Sequence, residues 1–468
     1  MIEKTKTLSE NKMVIFNILS TAIIAGVNFF TIPIFTRMLD TDGYGIVNVY
    51  SAWVSIFVIF VGLRADGTIG AAKANLPEDE QDSYQLSILA LSTIAFLVVL
   101  VAVFFFLGPI SALLSLEPLL VVCMVVQSFG AFVISLFSMR FIFKKQAQLN
   151  FSISLGVCFA TTALSVFLVS YIFTGDDAYL GRVIGLCVPN AALGLILALG
   201  LAIKQRGRFK IKYWRFCLAL TVPLIFHGLS QLVLGQTGKI VIQQRWGDSV
   251  AGIYSIAVVI VTLLNSIYGA LNNAFVPFMY DDLAGKTDSS VKMSHFRNYF
   301  ISFTLGTIAF VLVAPEILKL MSTEAYWGAI SLLPLLTVGQ YCVFLYSFPV
   351  NFEFYSMKTR SIAVGTVLAA VLNIVLSLAL VPGFGMMGAA FSTMIAYLAL
   401  FVFHFCIARF LLGDRNYPAR FYVAGLALVL FVSLTCYPLA DLVVARWIVA
   451  LLALACVGLR IYKTRSIF

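Results

Sequence analysis

Charge is what this chain has least of. Only 11% of its 468 residues are Asp, Glu, Lys or Arg, whereas 61% are hydrophobic, and the mean hydropathy is +1.00. So few polar groups cannot cover the surface of a soluble globule, which leaves a membrane protein. Histidine is nearly missing, with three residues far apart and no His/Cys cluster, so no metal site is expected. The eight cysteines, Cys123 to Cys456, lie in apolar stretches at irregular spacing without a C-x-x-C pair, and read as small buried apolar groups rather than a disulfide framework. No G-x-x-x-x-G-K-[ST] occurs, so hydrolysis of a nucleotide by the chain itself is not expected, nor is any other cofactor.

Apolar runs are what the chain has most of. A helix needs about 20 residues to cross roughly 30 Å of hydrocarbon, and fourteen candidate spans of that kind follow one another. They are 14–35, 46–66, 85–107, 118–139, 152–173 and 182–203, then 216–236, 250–270, 298–315, 328–349, 361–381 and 385–407, then 421–438 and 446–461. This predicts an all-α membrane protein of 14 transmembrane helices in two six-helix lobes plus a C-terminal pair. The expected divisions are 1–203 (N-lobe), 204–215 (a basic linker loop), 216–408 (C-lobe) and 409–468 (the extra pair). Six spans per half make the halves parallel repeats, and Gly45-Ile46 and Gly252-Ile253 recur at the end of the first loop of each. Residues 1–13 resemble a signal n-region, but the following run has full span length and no small-residue cleavage site, so it is expected to remain as the first helix.

Lys and Arg set the orientation. In this topology 24 of the 31 basic residues share the side of the N-terminus, 6 lie on the other, and Arg64 falls inside a span. Both termini are therefore expected in the cytoplasm. The net charge of +10 and the run KQRGRFKIKYWR at 204–215 are explained by this bias without nucleic acid as a partner.

The stretch LVPGFGMMGAAFST at 380–393 contains G-x-G-x-x-G, but a helix-length apolar run precedes it where dinucleotide binding requires a strand. It reads instead as a hairpin in which Pro382 ends one helix, Gly383 and Gly385 permit reversal, and Gly388, Ala389 and Ala390 allow close helix approach. Four stretches, FTIPIFTRMLDTDGYGIVNVY at 30–50, VPLIFHGLSQLVLGQTGKIVIQQRWGDSVAGIYS at 222–255, LNNAFVPF at 271–278 and NIVLSLALVPGFGMMGAAFST at 373–393, carry a family resemblance. The chain resembles the polysaccharide transporters of the multidrug/oligosaccharidyl-lipid/polysaccharide (MOP) exporter superfamily, most closely the Wzx-type O-antigen flippases. Relatives often carry Asp-Arg late in the seventh span, where this chain has Gly238-Lys239.

The resemblance implies transfer of an undecaprenyl-pyrophosphate-linked oligosaccharide, the O-antigen repeat unit, from the cytoplasmic to the periplasmic leaflet of the bacterial inner membrane by alternating access. It implies as partners membrane lipids, a coupling cation (H+ or Na+), and the polymerase and chain-length regulator of the same pathway. The head group would need a hydrated, cation-lined cavity between the lobes. Moving about two negative charges outward across roughly 100 mV, inside negative, is favourable by on the order of 4 to 5 kcal/mol, so ion coupling is not demanded.

Polar residues within the spans are the candidate substrate ligands. Arg64 is the basic residue deepest in a span, where an unpaired charge would cost roughly 2.5 to 3.5 kcal/mol; snorkelling to the surface is the competing explanation. Asn48, Ser51, Ser55, Gly62 and Asp66 share one stripe, so in an unbroken helix Asp66 lines a cavity better than Arg64. His227 and Gln231 lie one turn apart, and Arg245 returns to the same face after five turns. Lys239, Asn265 and Asn373 complete the set, while His404 is expected at the membrane interface. Asp40-Thr41-Asp42 forms a D-x-D, but the outward loops are too short for a glycosyltransferase, and turn hydrogen bonds and pairing with Arg37 explain it. An enzyme is not expected. The rival readings are a cation-coupled multidrug exporter, which needs carboxylates that these spans lack apart from Asp66, and a lipid II flippase, which differs only in head group.

Overall fold

The structure, a computed structural model, describes residues 29–204 and 209–464, and contains no strand among them. Among the described residues ten helices are long and apolar enough to cross a membrane, or eleven when the two pieces of one bent helix count as a single span. The protein is a multi-pass membrane protein. Backbone packing divides it into two compact units, Met1–Leu232 and Val233–Phe468. The division falls within the seventh expected span, whereas the sequence places it at 204–215, part of which lies outside the described residues, as does most of the first expected span.

The first unit contains α1 (29–38), α2 (Thr41–Gly62), α3 (Ile69–Asn75), α4 (Glu78–Phe105), α5 (Leu107–Leu114), α6 (Pro118–Phe143), α7 (Ala147–Tyr171), α8 (Ala178–Lys204) and the first part of α9 (Lys212–Trp246). Local chemistry starts these helices. Asp40 caps α2, its carboxylate accepting from Gly43 N at 2.8 Å, so half of the D-x-D serves as a helix cap. Glu78, Asp79 and Glu80 occupy the first turn of α4, where the helix dipole favours acids. Pro118 opens α6, where its missing N–H costs nothing. Glu80 then holds Lys210 at 2.9 Å and Lys212 at 3.2 Å, and Trp214 Nε1 donates to Ser87 O at 2.8 Å. These bonds dock the described end of the basic loop onto α4.

The second unit contains the rest of α9, α10 (Asp248–Leu283), α11 (Ser289–Met321), α12 (Leu333–Tyr355), α13 (Thr359–Cys406), α14 (Ala419–Thr435) and α15 (Val443–Thr464). Its core is a stack of rings from α11 and α12, with Phe296, Tyr299, Phe300, Phe344 and Phe348 all buried. Phe296 lies 4.2 Å from Tyr417, centroid to centroid. Arg446 of α15 is buried and donates to Leu312 O at 2.7 Å and to Glu316 on α11. The C-terminal pair is thus fastened to α11 by a buried charge as well as by packing; α14, at 17 residues, is shorter than the span expected there.

Two spans are expected at 361–381 and 385–407, and α13 comprises two helical segments that double back on each other about a kink at Gly385. Pro382 does not end the first; the non-helical backbone is at Gly385 (φ 53°, ψ −133°), a conformation open essentially to glycine. Trp246 Nε1 donates to Val381 O at 2.9 Å, satisfying a carbonyl released at the turn. After the turn Gly388 lies so close to the preceding segment that a Cβ there would sit 2.5 Å from Leu380 O. Gly388→Ala is therefore expected to destabilise by about 1 to 3 kcal/mol, since backbone cannot yield cheaply. Gly383→Ala, with nothing within 4 Å, should leave the thermal midpoint in detergent unchanged or higher.

Candidate functional site

The candidate residues begin where α2 fails. The sequence places Arg64 inside a span ending at 66, but α2 stops at Gly62, and Leu63 (φ 52°) and Arg64 (φ 53°) are both left-handed before a short 3-10 turn at Ala65–Thr68. At this last turn the helix is pressed against its neighbour: a Cβ on Gly62 would lie 2.2 Å from Phe132 of α6. Two successive non-glycine residues in this region cost on the order of 1 to 2 kcal/mol each, and strain of this kind concentrates at functional positions. The break also ends the helical stripe that grouped Asp66 with Asn48 and Ser55. Asp66 instead turns to α6 and accepts from Ser135 Oγ at 2.7 Å.

Arg64 is exposed rather than sunk in a helix. Its Nε lies 3.4 Å from where a Cβ of Gly228 would be, so the guanidinium reaches the part of α9 that carries His227 and Gln231. Both of these are half-buried. They belong to the Leu224–Trp246 piece of α9, which is bent by 42° from Lys212–Val222.

In the second unit α9 and α13 run side by side in register. Leu234 packs with Ala369 and Ala370, and twelve residues later on each helix Trp246 bonds Val381 O. Lys239 therefore lies at the level of Asn373. Lys239 is 8% exposed and has no hydrogen-bond or ion-pair partner among the described residues. Asn373 is wholly buried, with neither amide atom partnered, and Ser377 Oγ one turn further on is likewise unpartnered among the described residues. Gly238 gives way to α10: a Cβ there would sit 2.6 Å from the Tyr254 hydroxyl, which explains why the larger acid that the resemblance leads one to expect has no room. Arg245, at the end of α9, is exposed. Asn265, also exposed, accepts from Gln340 Nε2 at 2.8 Å.

Two acid–histidine pairs escaped sequence reasoning. His404 is not an interface residue; it is wholly buried, with Nδ1 2.6 Å from Glu353 Oε1, and Ser361 Oγ donates to the other carboxylate oxygen. His295 Nδ1 lies 3.2 Å from Asp282 Oδ2, and the Asp282 side chain is fully buried. The second unit thus does contain buried acids, contrary to the expectation that Asp66 is the main one, but each is consumed by a histidine. Glu353 and His404 are 51 residues apart, and no local pattern announces that they meet. Among the described residues no group of three or more His, Cys, Asp or Glu could hold a metal ion.

Comparison with known proteins bears on this arrangement. The chain is 22% identical to an uncharacterized membrane protein of Haemophilus influenzae, over 74% of this chain and 84% of that one. Its fold is similar to that of the lipid II flippase MurJ in an inward closed conformation, with a TM-score of 0.71 at 14% identity, covering 96% of this chain and 99% of that one. An inward-facing multidrug resistance MATE family transporter of the MOP superfamily is similar with a TM-score of 0.62 at 14% identity, covering 84% and 97%. Residues 11–281, more than half of the chain, match the family described as polysaccharide biosynthesis protein, and the chain belongs to that family.

Proposed function

We propose that this protein is a flippase that carries a polyprenyl-diphosphate-linked oligosaccharide, the O-antigen repeat unit, from the cytoplasmic to the periplasmic leaflet of the inner membrane by alternating access. The family and the MurJ- and MATE-like fold support a transporter. Lys239 is the observation that carries the choice of cargo. A lysine largely removed from water with no protein partner is costly, and a diphosphate compensates it, whereas a cationic drug aggravates it. The carboxylates that a drug exporter would offer its substrate are occupied: Asp66 by Ser135, Glu353 and Asp282 by histidines. Arg64, His227 and Gln231 are proposed to meet the head group in the first unit, and Asn373, Arg245 and Lys239 in the second, while the polyprenyl tail stays in lipid. Both termini are then cytoplasmic.

The test is complementation of a strain lacking its own O-unit translocator, scored for polymerised surface glycan. Restored glycan is expected. Absence of surface glycan with every O-unit tried, together with restored drug resistance, would transfer the protein to the exporter class.

A further inference from the structure

On the first unit, a cavity of about 440 Å³ opens among α3, the start of α4 and the turn between α6 and α7, at the end that the basic-residue bias assigns to the cytoplasm. Lys73, Arg140, Lys144 and Lys145 line it, against Glu78 and Asp82. Arg140 is 8% exposed, its guanidinium fixed by Gln85 and by Asp82 at 3.1 Å. Asp82 also holds Lys144 at 3.0 Å, and Lys73 Nζ donates to Phe143 O at the end of α6. The N-terminus of α7 faces the same space through Gln146 and lacks a side-chain cap, which leaves its first N–H groups to an acceptor from outside the helix.

Lys145 is the telling residue. It closes α6 in a left-handed conformation (φ 58°), with Lys145 N bonded to Ile142 O and Gln146 N to Phe141 O. Helices that end in this way ordinarily place glycine there. A lysine in that position gives up backbone comfort for a cation at the cavity rim. Ile142, near the end of α6, and Leu149, in the first turn of α7, flank the cavity-lining residues in sequence and are half exposed, 50% and 49%, apolar surface suited to acyl chains.

We infer that this cavity binds the phosphate head group of an anionic phospholipid of the adjoining leaflet, with Lys73, Arg140, Lys144 and Lys145 facing the phosphate. It is a lipid site apart from the residues assigned to cargo. The preformed, buried Arg140 and the exposed Ile142 and Leu149 that flank the lining residues in sequence favour a lipid over a soluble phosphate compound.

Native mass spectrometry of the detergent-released full chain, with phosphatidylglycerol or phosphatidylethanolamine added, tests this. Phosphatidylglycerol adducts should dominate. Lys73→Gln with Lys145→Gly should weaken their retention by about fivefold for each cation removed, and Lys145→Gly alone should not lower the thermal midpoint, because it relieves the turn. Lys210→Gln with Lys212→Gln removes the same charge outside the cavity and should leave retention unchanged. Equal retention of both lipids, or equal losses in the two double variants, overturns the inference. Inorganic phosphate that binds without lipid and displaces it would reassign the cavity to a soluble phosphate compound and overturn the lipid source.

Discussion

Glu353→Ala is expected to cost about 3 to 5 kcal/mol of stability, the range for removing one member of a buried, hydrogen-bonded acid–base pair. Glu353 and His404 are both fully buried, at 2.6 Å, and the same carboxylate accepts from Ser361 Oγ. The Tyr346 ring stands edge-on to the imidazole at 5.1 Å. His404 Nε2 already lacks a partner among the described residues, so loss of Glu353 would leave both ring nitrogens buried without one. Water cannot repair this cheaply, because Gly365 abuts the ring: a Cβ there would lie 2.5 Å from Nε2. Removing both members, as Glu353→Ala with His404→Phe, should recover part of the loss, since no buried imidazole is then left without a partner and only the space vacated by Glu353 still costs. Thermal or denaturant unfolding of the two single variants and the double variant gives the coupling energy. A single-variant loss under about 1 kcal/mol would show that the pair is hydrated rather than buried.

The helices were legible in the sequence because hydrocarbon imposes one length and one composition on anything that crosses it. Every expected span from 46–66 onward overlaps a described helix. Breaks inside helices were not legible, because they are decided by neighbours. Nothing around Gly62 reveals Phe132 seventy residues away, yet α2 is pressed against that ring at its last turn, where the chain turns left-handed and carries Arg64 out of the helix. The hairpin at 380–393 is legible, and Gly385, one of the two glycines expected to permit the reversal, makes it; Pro382 does not end the helix, because a membrane helix tolerates a proline. Among the candidate ligands, composition could flag Lys239 as a rare charge in an apolar run; its lack of a partner is a property of packing alone. The histidine–acid pairs were illegible for the same reason. His404 near a helix end looks interfacial until α13 folds back on itself and presents it to α12.

Lys239→Met is expected to abolish translocation while making the protein more stable. Lys239 is largely buried, level with Asn373, and without a partner among the described residues, so in the unloaded protein its charge carries a partial desolvation cost that a methionine of similar shape does not. Functional charges are kept at such a cost because a ligand compensates them. Losing one member of a buried ligand contact of this kind typically costs 2 kcal/mol or more, which is about thirtyfold or greater in head-group affinity. Lys239→Arg retains the cation and should keep part of the activity, whereas Gly238→Asp should not help, because Tyr254 already fills the space its side chain would need. Thermal midpoint and surface-glycan formation, measured on the same variants at matched expression, separate the explanations. A rise in midpoint with loss of glycan identifies a charge retained for cargo. A fall in both would make Lys239 a structural residue, and unchanged glycan would remove it from the path. The expected combination is one that packing alone cannot produce, because a residue that only supports the fold loses function by losing stability.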